Sequence, residues 1–598
     1  MLQHLTHYAV KHGIAPGPGF SPKRLRWLLQ FSEDGRFVGV IELGDTEAKR
    51  NPGQEFARCP DLTQPEMTSK GETKSHFLAD TLDVVTLLGV GEGDAKKHAK
   101  HAYFVDRLRE AGAECGLPEL TQAADALADP AILEQIRGQL AATRAKPTEK
   151  VTVARRGSPP PIASDAWHGW WQRFRASLPT AKARGARMLC FVGGQAVVPA
   201  PTHPKIQGLA DVGGIGMGSP LIGFDKDAFE SYGLEQSANC AVSEEAASTY
   251  RAGLNDLLAH HSRTLAGAKV AHWFDETVPR EDDPLAWLED PSPEAEAQTE
   301  ADAQAWARRL LEAIHRGERP GLAASRYFAL TLSGAAGRVM VRDWMEGEFT
   351  DLVSNVKAWF DDLAIVHRHG GQLAPAPKFL AVLAATVRAL NELTPPFTTR
   401  MWRVAVRNEP LPHAALALAL ARVRADVLQD APPRHAGLGL LRAYHIRRHR
   451  QGGESMSDTM GPYLNENHPS PAYHCGRLMA VLAALQRSAL GDVGAGVVQR
   501  YYAAASATPS LVLGRLVRTS QFHLNSLGNP RLAWWYENQL AGIWGRIHDA
   551  VPATLTLDEQ SLFALGYYQQ IADLRTRKTD DTPVLPESEP TEEGTDDV

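Results

Sequence analysis

Cysteine is scarce in this 598-residue chain: Cys59, Cys115, Cys190, Cys240 and Cys475 are odd in number, far apart, and never arranged as Cys-x-x-Cys. That spacing argues against a disulfide framework and a thiolate zinc site, and it suits a reducing cytoplasm. Long apolar runs are missing as well. Nowhere does an uncharged stretch approach the roughly 20 residues that a bilayer span requires, so no membrane partner is expected. The N-terminal MLQHLTHYAVKHG is interrupted by His4, His7, Lys11 and His12 and offers no export signal. No repeat of fixed period is visible.

The signatures of common enzymes are also wanting. The histidines of KKHAKHAY, AHHS and RAYHIRRHR form neither His-Glu-x-x-His nor a Cys/His zinc spacing. In GMGSPLIG the residue after Ser219 is Pro220, which removes the backbone N–H that a nucleophile elbow needs for its oxyanion hole. GGIGMG, Gly213 to Gly218, has the wrong spacing for a dinucleotide fingerprint. It is either a wide turn between strands or a loop whose amides can approach a phosphate or base edge. The densest acids lie in a Pro-rich stretch without periodicity, so no metal site and no cofactor are expected. A metal-dependent nuclease or phosphoesterase, its Asp and His brought together only by folding, is the alternative reading.

What the chain does have is charge, unevenly spread. The net charge of −7 includes −10 between Asp275 and Ala303 and −8 between Thr579 and Val598, leaving +11 on the rest. Such a body can bind an acidic polymer while an acidic linker and tail stay solvated, although basic residues scattered for solubility give the same count.

Periodicity divides the chain. Residues 1–145 read as an α/β domain in which Asp34-Gly35 joins two apolar runs as a hairpin. Helices are predicted over Phe77–Leu88, Ala95–Ala111 and Leu120–Leu140, after a polar loop from Gly44 to Lys74. Residues 146–345 read as a mixed central domain with strands at KVTVAR, RMLCFVGG, LIGF, KVAHWF and RYFALTLSGAAGRVMVRDW, a helix over Trp167–Leu178, and the acidic linker 275–303. A helical connecting region, 346–455, leads to a bundle over 456–577 and a disordered acidic tail, 578–598. In the bundle Leu478, Val481, Leu482 and Leu485 trace one apolar face, and Thr508-Pro509 and Asn529-Pro530 signal helix starts. The fold class is thus α+β: small sheets in a mixed N-terminal part, then an all-α region.

One segment is too specific in composition for an idle linker. In FDKDAFESYGLEQSANCAVSEEAASTYRAGLNDLL, Ser243 is placed to cap a helix whose apolar stripe runs through Ala247, Tyr250, Leu254, Leu257 and Leu258. The segment resembles the hallmark of the large subunit of type I-C CRISPR surveillance complexes, the type I-C branch of the Cas-eight family. FLADTLDVVTLLG, HWFDE, LSGAAGRVMVRDW, SPAYHCGRLMAVLAALQ, RYYAAASATPSLVLGRLV and ALGYYQQ resemble further segments of that family, in the same order. Departures occur at Val84 or Val85, where an aromatic is usual, at Ser333-Gly334-Ala335, and at Asn239-Cys240-Ala241.

The resemblance implies a cytoplasmic, non-enzymatic subunit of a CRISPR RNA-containing complex with backbone and handle-binding subunits. It would recognise the protospacer-adjacent motif (PAM) in target double-stranded DNA, assist R-loop formation, stabilise the displaced strand and recruit a helicase-nuclease. It also implies a small helical subunit made from the same gene, for which Met456 or Met460 is a candidate internal start. For PAM reading, Asn51, Gln54, Thr68, Lys70, Thr73 and Lys74 are the candidates on the polar loop. For phosphate contact the candidates are Lys96, Lys97, Lys100, Arg338 and Arg342, with the cluster Arg442, Arg447, Arg448 and Arg450. Tyr232, Gln236 and Asn239 contact the Gly-rich loop or nucleic acid, or hold the fold.

Overall fold

The computed structural model describes residues 1–45, 53–63, 66–67, 73–178, 187–288, 302–316, 318–431, 434–451, 459–491, 493, 496–547 and 551–576. Its contacts separate two compact units. The first holds Met1–Thr264, Ala268–His272 and Leu330–Trp344, the second Leu265–Gly267, Trp273–Ala329 and Met345–Val598. The class is α+β, as the sequence implied.

In the first unit, helix α1 (Leu2–Lys11) precedes strand β1 (Phe20–Leu25), which pairs antiparallel with β4 (Gln54–Pro60). Strands β2 (Trp27–Phe31) and β3 (Phe37–Glu42) form the hairpin expected around Asp34-Gly35, and Gly35 sits at φ +77° in its turn. β2 then runs parallel to β6 (Lys150–Arg155), and β5 (Asp80–Thr81) closes the sheet in the order β3-β2-β6-β5. A parallel pair needs a long crossover, and three helices lie within the one between β2 and β6: α2 (Ala95–Cys115), α3 (Pro118–Ala128) and α4 (Pro130–Ala142). The expected single helix over Leu120–Leu140 is divided at Asp129, whose carboxylate caps α4 and is followed by Pro130 at the first helical position. The core beneath gathers Trp27, Phe31, Phe77, Trp167 and Trp171; the last two flank and enter α5 (His168–Ser177).

Most of the helix expected over Phe77–Leu88 does not form; only Leu82–Val85 is helical. Leu78 lies at φ +61°, its carbonyl accepts from Thr152 Oγ1 at 2.8 Å, and the Asp80 carboxylate accepts from the backbone N–H of His76 (2.8 Å) and of Thr81 (2.7 Å). Local carboxylate bonds displace the helical ladder here. RMLCFVGG yields only β7 (Met188–Leu189), paired with β8 (Ala196–Val197), and LIGF is irregular beside β9 (Lys205–Ile206) and β10 (Ser219–Pro220). Helix α6 (Glu244–His260) starts where the sequence placed it: Ser243 Oγ accepts from Ala246 N at 3.1 Å. A further sheet has the order β11-β12-β13-β14, with β11 Ser262–Leu265, β12 Ala268–Phe274, β13 Arg326–Ala335 and β14 Arg338–Glu348.

The second unit is mostly helical. Of the acidic stretch, Leu285, Trp287 and Leu288 are buried, and Lys378 Nζ donates to the Trp287 carbonyl at 3.1 Å, so this part is packed and not simply solvated. Residues 289–301 and the tail beyond Thr576 lie outside the described residues. Then follow α7 (Asp302–His315), α8 (Phe349–Leu363), α9 (Pro395–Arg407), α10 (His413–Leu428) and α11 (His435–Gln451). The bundle comprises α12 (Pro471–Leu490), α13 (Val497–Ala505), α14 (Pro509–Ser526), α15 (Pro530–Ile547) and α16 (Leu557–Thr576). α12 lies at its centre, against the other four, with Leu478, Val481, Leu482 and Leu485 buried. It touches α16 closely because glycine stands on both sides of the crossing: a Cβ on Gly476 would fall 2.8 Å from the Phe563 carbonyl carbon, and one on Gly566 2.9 Å from that of Tyr473.

Candidate nucleic-acid interface

Alternation in β1 turns Lys23 inward, where it is only 7% exposed. Its Nζ donates to the Pro60 carbonyl at 2.6 Å and lies 3.3 Å from Asp61 Oδ1, at the end of the partner strand. His76 Nδ1 stands 3.4 Å from the same oxygen and accepts from Leu62 N at 3.2 Å, and Arg251 of α6 approaches Asp61 Oδ2 at 3.7 Å. Burial alone would raise the Asp61 pKa, but Lys23 above all, with Arg251, holds the carboxyl well below the ordinary carboxylate range. Lys150, the first residue of β6, faces the same depression opposite Thr81. Burial, and then the neighbouring Lys23, push its ammonium pKa down, and its side chain has no hydrogen-bond or ion-pair partner among the described residues.

This cluster opens into a cleft of about 680 Å³ in the first unit. Its lining includes Phe20, His203, Lys205, Gln207, Met217, Phe224, Asp225, Gln236 and Arg251. Two loops and a hairpin contribute to its edge. β13 meets the Gly-rich loop at Gly334, where any Cβ would overlap the backbone of Gly213 and Gly214, so only glycine permits the approach. On β14, Arg338 pairs with Asp225 at 2.7 Å and lies over the Phe229 ring at 4.2 Å, while Arg342 Nε donates to Ser333 Oγ at 2.8 Å. The second loop is braced by Asn239, whose Oδ1 accepts from Ser231 N (2.9 Å) and whose Nδ2 donates to the Leu234 carbonyl (2.7 Å). Asn239 therefore holds the fold. Tyr232, in the same loop at φ +56°, is fully exposed. Ile215, Met217, Phe229, Met340 and Val341 are exposed apolar residues on these same segments.

Of the residues expected from sequence, Asn51, Thr68 and Lys70 lie outside the described residues. Gln54 is exposed at the start of β4, and Thr73 is half-buried. Lys74 is a correction: at 2% exposure its side chain belongs to the interior and cannot reach a base edge. On α2, Lys97 is paired with Asp83, whereas exposed Lys96 and half-buried Lys100 have no such partner among the described residues. Two of the second unit's arginines need the same correction. Arg442 donates to the carbonyls of Met460, Asp361 and Asp362, and Arg447, at 1% exposure, is bound to Asp362 (2.8 Å) and to the Val404 carbonyl (2.6 Å). Both guanidinium groups are spent on internal acceptors and are not available to phosphate. Arg448 and Arg450 are partly exposed but paired, with Asp558 and Asp362 respectively.

The cluster around Asp61 escaped sequence reasoning. Its members come from β1, the end of β4, the segment before β5, β6 and α6, and no local pattern links them. The nearest signal was a lone lysine at an inward position of FSPKRL. Among the described residues, no group of three or more His, Cys, Asp or Glu is placed to hold a metal ion, and no helix is long and apolar enough to cross a membrane.

A family model described as CRISPR-associated protein (Cas_Csd1) matches residues 4–575, nearly the whole chain. No curated protein matches it.

Proposed function

Since the chain belongs to this Csd1 family, the large subunit of type I-C CRISPR surveillance complexes, we propose that its first unit engages target duplex DNA at the PAM. The protein works there without breaking bonds, assists R-loop formation, holds the displaced strand and recruits the helicase-nuclease. Its setting is the cytoplasm, in a complex with guide RNA, backbone and handle-binding subunits, and a small helical subunit begun at Met456 or Met460. Met460 is buried, while Met456 lies outside the described residues. Base pairing to the guide reads the sequence, so protein contacts need only read a short duplex motif and hold backbone charge.

One observation carries this reading: beside the cleft, the Gly-rich loop with exposed Ile215 and Met217 lies against the hairpin that carries Arg338 and Arg342, and Tyr232 is fully exposed on the neighbouring loop. Aromatic and apolar side chains can wedge or stack on bases that are being unpaired, and arginines serve the phosphates and guanine edges. Gln54, Thr73, Lys96 and Lys100 are the remaining described contacts of the proposal.

The test uses the assembled complex with guide RNA, on duplexes with and without the correct PAM, over a salt series. Arg338→Ala/Arg342→Ala is expected to weaken duplex binding and to lower the salt slope by about 2. Tyr232→Ala should slow strand opening while leaving duplex affinity within about threefold, because stacking is made only with unpaired bases. A wild-type assembly that binds both duplexes equally, or an Arg338→Ala/Arg342→Ala/Tyr232→Ala variant that opens DNA at the wild-type rate, refutes the proposal.

A further inference from the structure

We infer that the small depression beside Asp61 is a seat for a single phosphate group, with Lys150 as its principal cation. The depression measures about 160 Å³ and is lined by Lys23, Lys150, Lys205, Arg251, Asp61 and Asp80, with His76, Gln207 and Asn255 among its other walls. That volume equals roughly five waters, enough for a tetrahedral oxyanion and its nearest solvent and too little for a nucleoside.

The donors and acceptors of the site are out of balance. Four cations face two carboxylates, and the carboxylates are already engaged. Asp61 is held by Lys23 and Arg251, and Asp80 accepts from the backbone of His76 and Thr81. Lys23 is spent on Asp61 and Pro60. Lys150 and Lys205 have no hydrogen-bond or ion-pair partner within 4 Å for their side chains among the described residues, and Arg251 meets Asp61 at a loose 3.7 Å. Because His76 Nδ1 accepts from Leu62 N, the proton of the neutral ring sits on Nε2, which makes it one more donor. A pocket that keeps donors and lacks free acceptors is complementary to an anion. Holding Lys150 beside Lys23 in a half-buried site costs stability when the seat is empty, because Asp61 and Asp80 attract it only in part and are already engaged, and a phosphate adds counter-charge.

The phosphate has two possible sources: a phosphodiester of bound nucleic acid or free inorganic phosphate. The first rests on the function proposed above; the chemistry of the seat does not. The experiment compares the full-length chain, wild type, Lys150→Met and Lys150→Arg, in two assays. The first is the thermal midpoint in sodium phosphate against sodium chloride of equal ionic strength; the second is binding of a short duplex over a salt series. We expect phosphate to raise the wild-type midpoint, Lys150→Met to lose that rise, and Lys150→Arg to keep it. In chloride, Lys150→Met should melt no lower than wild type, since a strained cation has been removed. Its duplex affinity should fall about tenfold, with a salt slope smaller by about 1.

A Lys150→Met chain that melts well below wild type in chloride overturns the inference, because the lysine is then a structural residue. So does one that keeps both the phosphate response and the duplex affinity. A variant that loses the phosphate response but keeps its duplex affinity assigns the seat to free phosphate and overturns the backbone source alone. Wild type that fails to bind duplex while its midpoint still rises with phosphate overturns the backbone source and leaves the seat standing; the proposed function is refuted separately, by the assembled complex.

Discussion

The glycine crossing between α12 and α16 gives the sharpest test of how the second unit is built. In Gly476→Ala the new Cβ would stand 2.8 Å from the Phe563 carbonyl carbon and 2.9 Å from the Tyr567 nitrogen. Carbon needs about 3.5 Å or more from such atoms, so the helices must part by roughly 1 Å, a gap that forfeits a quarter to a half of each dispersion contact along the seam. Two buried hydrogen bonds span the same seam, Tyr473 Oη to Gln569 Oε1 at 2.6 Å and Arg477 Nε to Gln570 Oε1 at 2.9 Å, and both would lengthen. Overpacking of this kind costs about 1–3 kcal/mol and a weakened buried hydrogen bond about 1 more, while alanine regains about 1 kcal/mol of helix propensity. With both bonds counted, the net expectation is a loss of about 2–4 kcal/mol.

Hydrogen exchange of the α12 and α16 amides measures that loss locally, which matters in a chain of two units that need not unfold together. Gly514→Ala is the control: it lies in α14 with nothing within 4 Å of its Cβ position, so the same chemical change should stabilise by up to about 1 kcal/mol. Gly566→Ala strikes the same crossing from the other side, and once the helices have parted a second methyl costs less, so the double variant should lose less than the sum. A neutral Gly476→Ala, or strictly additive losses, would refute the geometry.

Acid should destabilise the second unit early. Burial pushes His445 and His468 down to about 4 from an ordinary 6.5, so the unfolded chain binds more protons between those values and stability falls as pH drops through that window. These two histidines together should cost about 3–4 kcal/mol between pH 7 and pH 5, and His435, pushed down to about 4 as well, adds to it, so His445→Gln should flatten the curve by about a third; a pH-independent urea midpoint over that range contradicts this. At the Asp362 cluster, Asp362→Ala strands Arg447 and removes the partner of Arg450, a loss of about 3–5 kcal/mol, whereas Asp362→Leu/Arg447→Met should recover most of it in chemical denaturation. Ser243→Ala removes the cap of α6 and should cost about 1 kcal/mol, read from exchange of the Ala246 amide.

The parts of the fold that were legible are those decided within a few residues. Asp34-Gly35 makes a hairpin because the turn chemistry is local, and Ser243 caps α6 because its hydroxyl meets an amide three residues on. The Phe77 segment misled because its apolar spacing suits a helix, while the bond from Thr152 to the Leu78 carbonyl comes from a strand far along the chain. The arginines of RAYHIRRHR show the same limit for the site. Charge counting treats Arg447 and Arg448 alike, yet neighbours on a helix point about 100° apart. One turns inward to an Asp 85 residues away, while the other stays more than half exposed. Lys150 was overlooked for the converse reason: in KVTVAR it reads as an ordinary strand-end lysine, and only β1 and α6 together make its surroundings cationic.

The way α16 is held has a consequence for any shorter translation product. In the full chain its outer side is occupied by α10, α11 and the segment after α8: Gln560 takes a bond from Arg424, Ser561 meets His445 at 2.6 Å, and the Tyr568 hydroxyl donates to the Val366 carbonyl. A polypeptide begun at Met460 would inherit the same helix stripped of those companions, with an apolar flank and several orphaned polar groups turned to water. Such a fragment would be built to adhere, and the surface it sought would have to imitate the two helices it left behind.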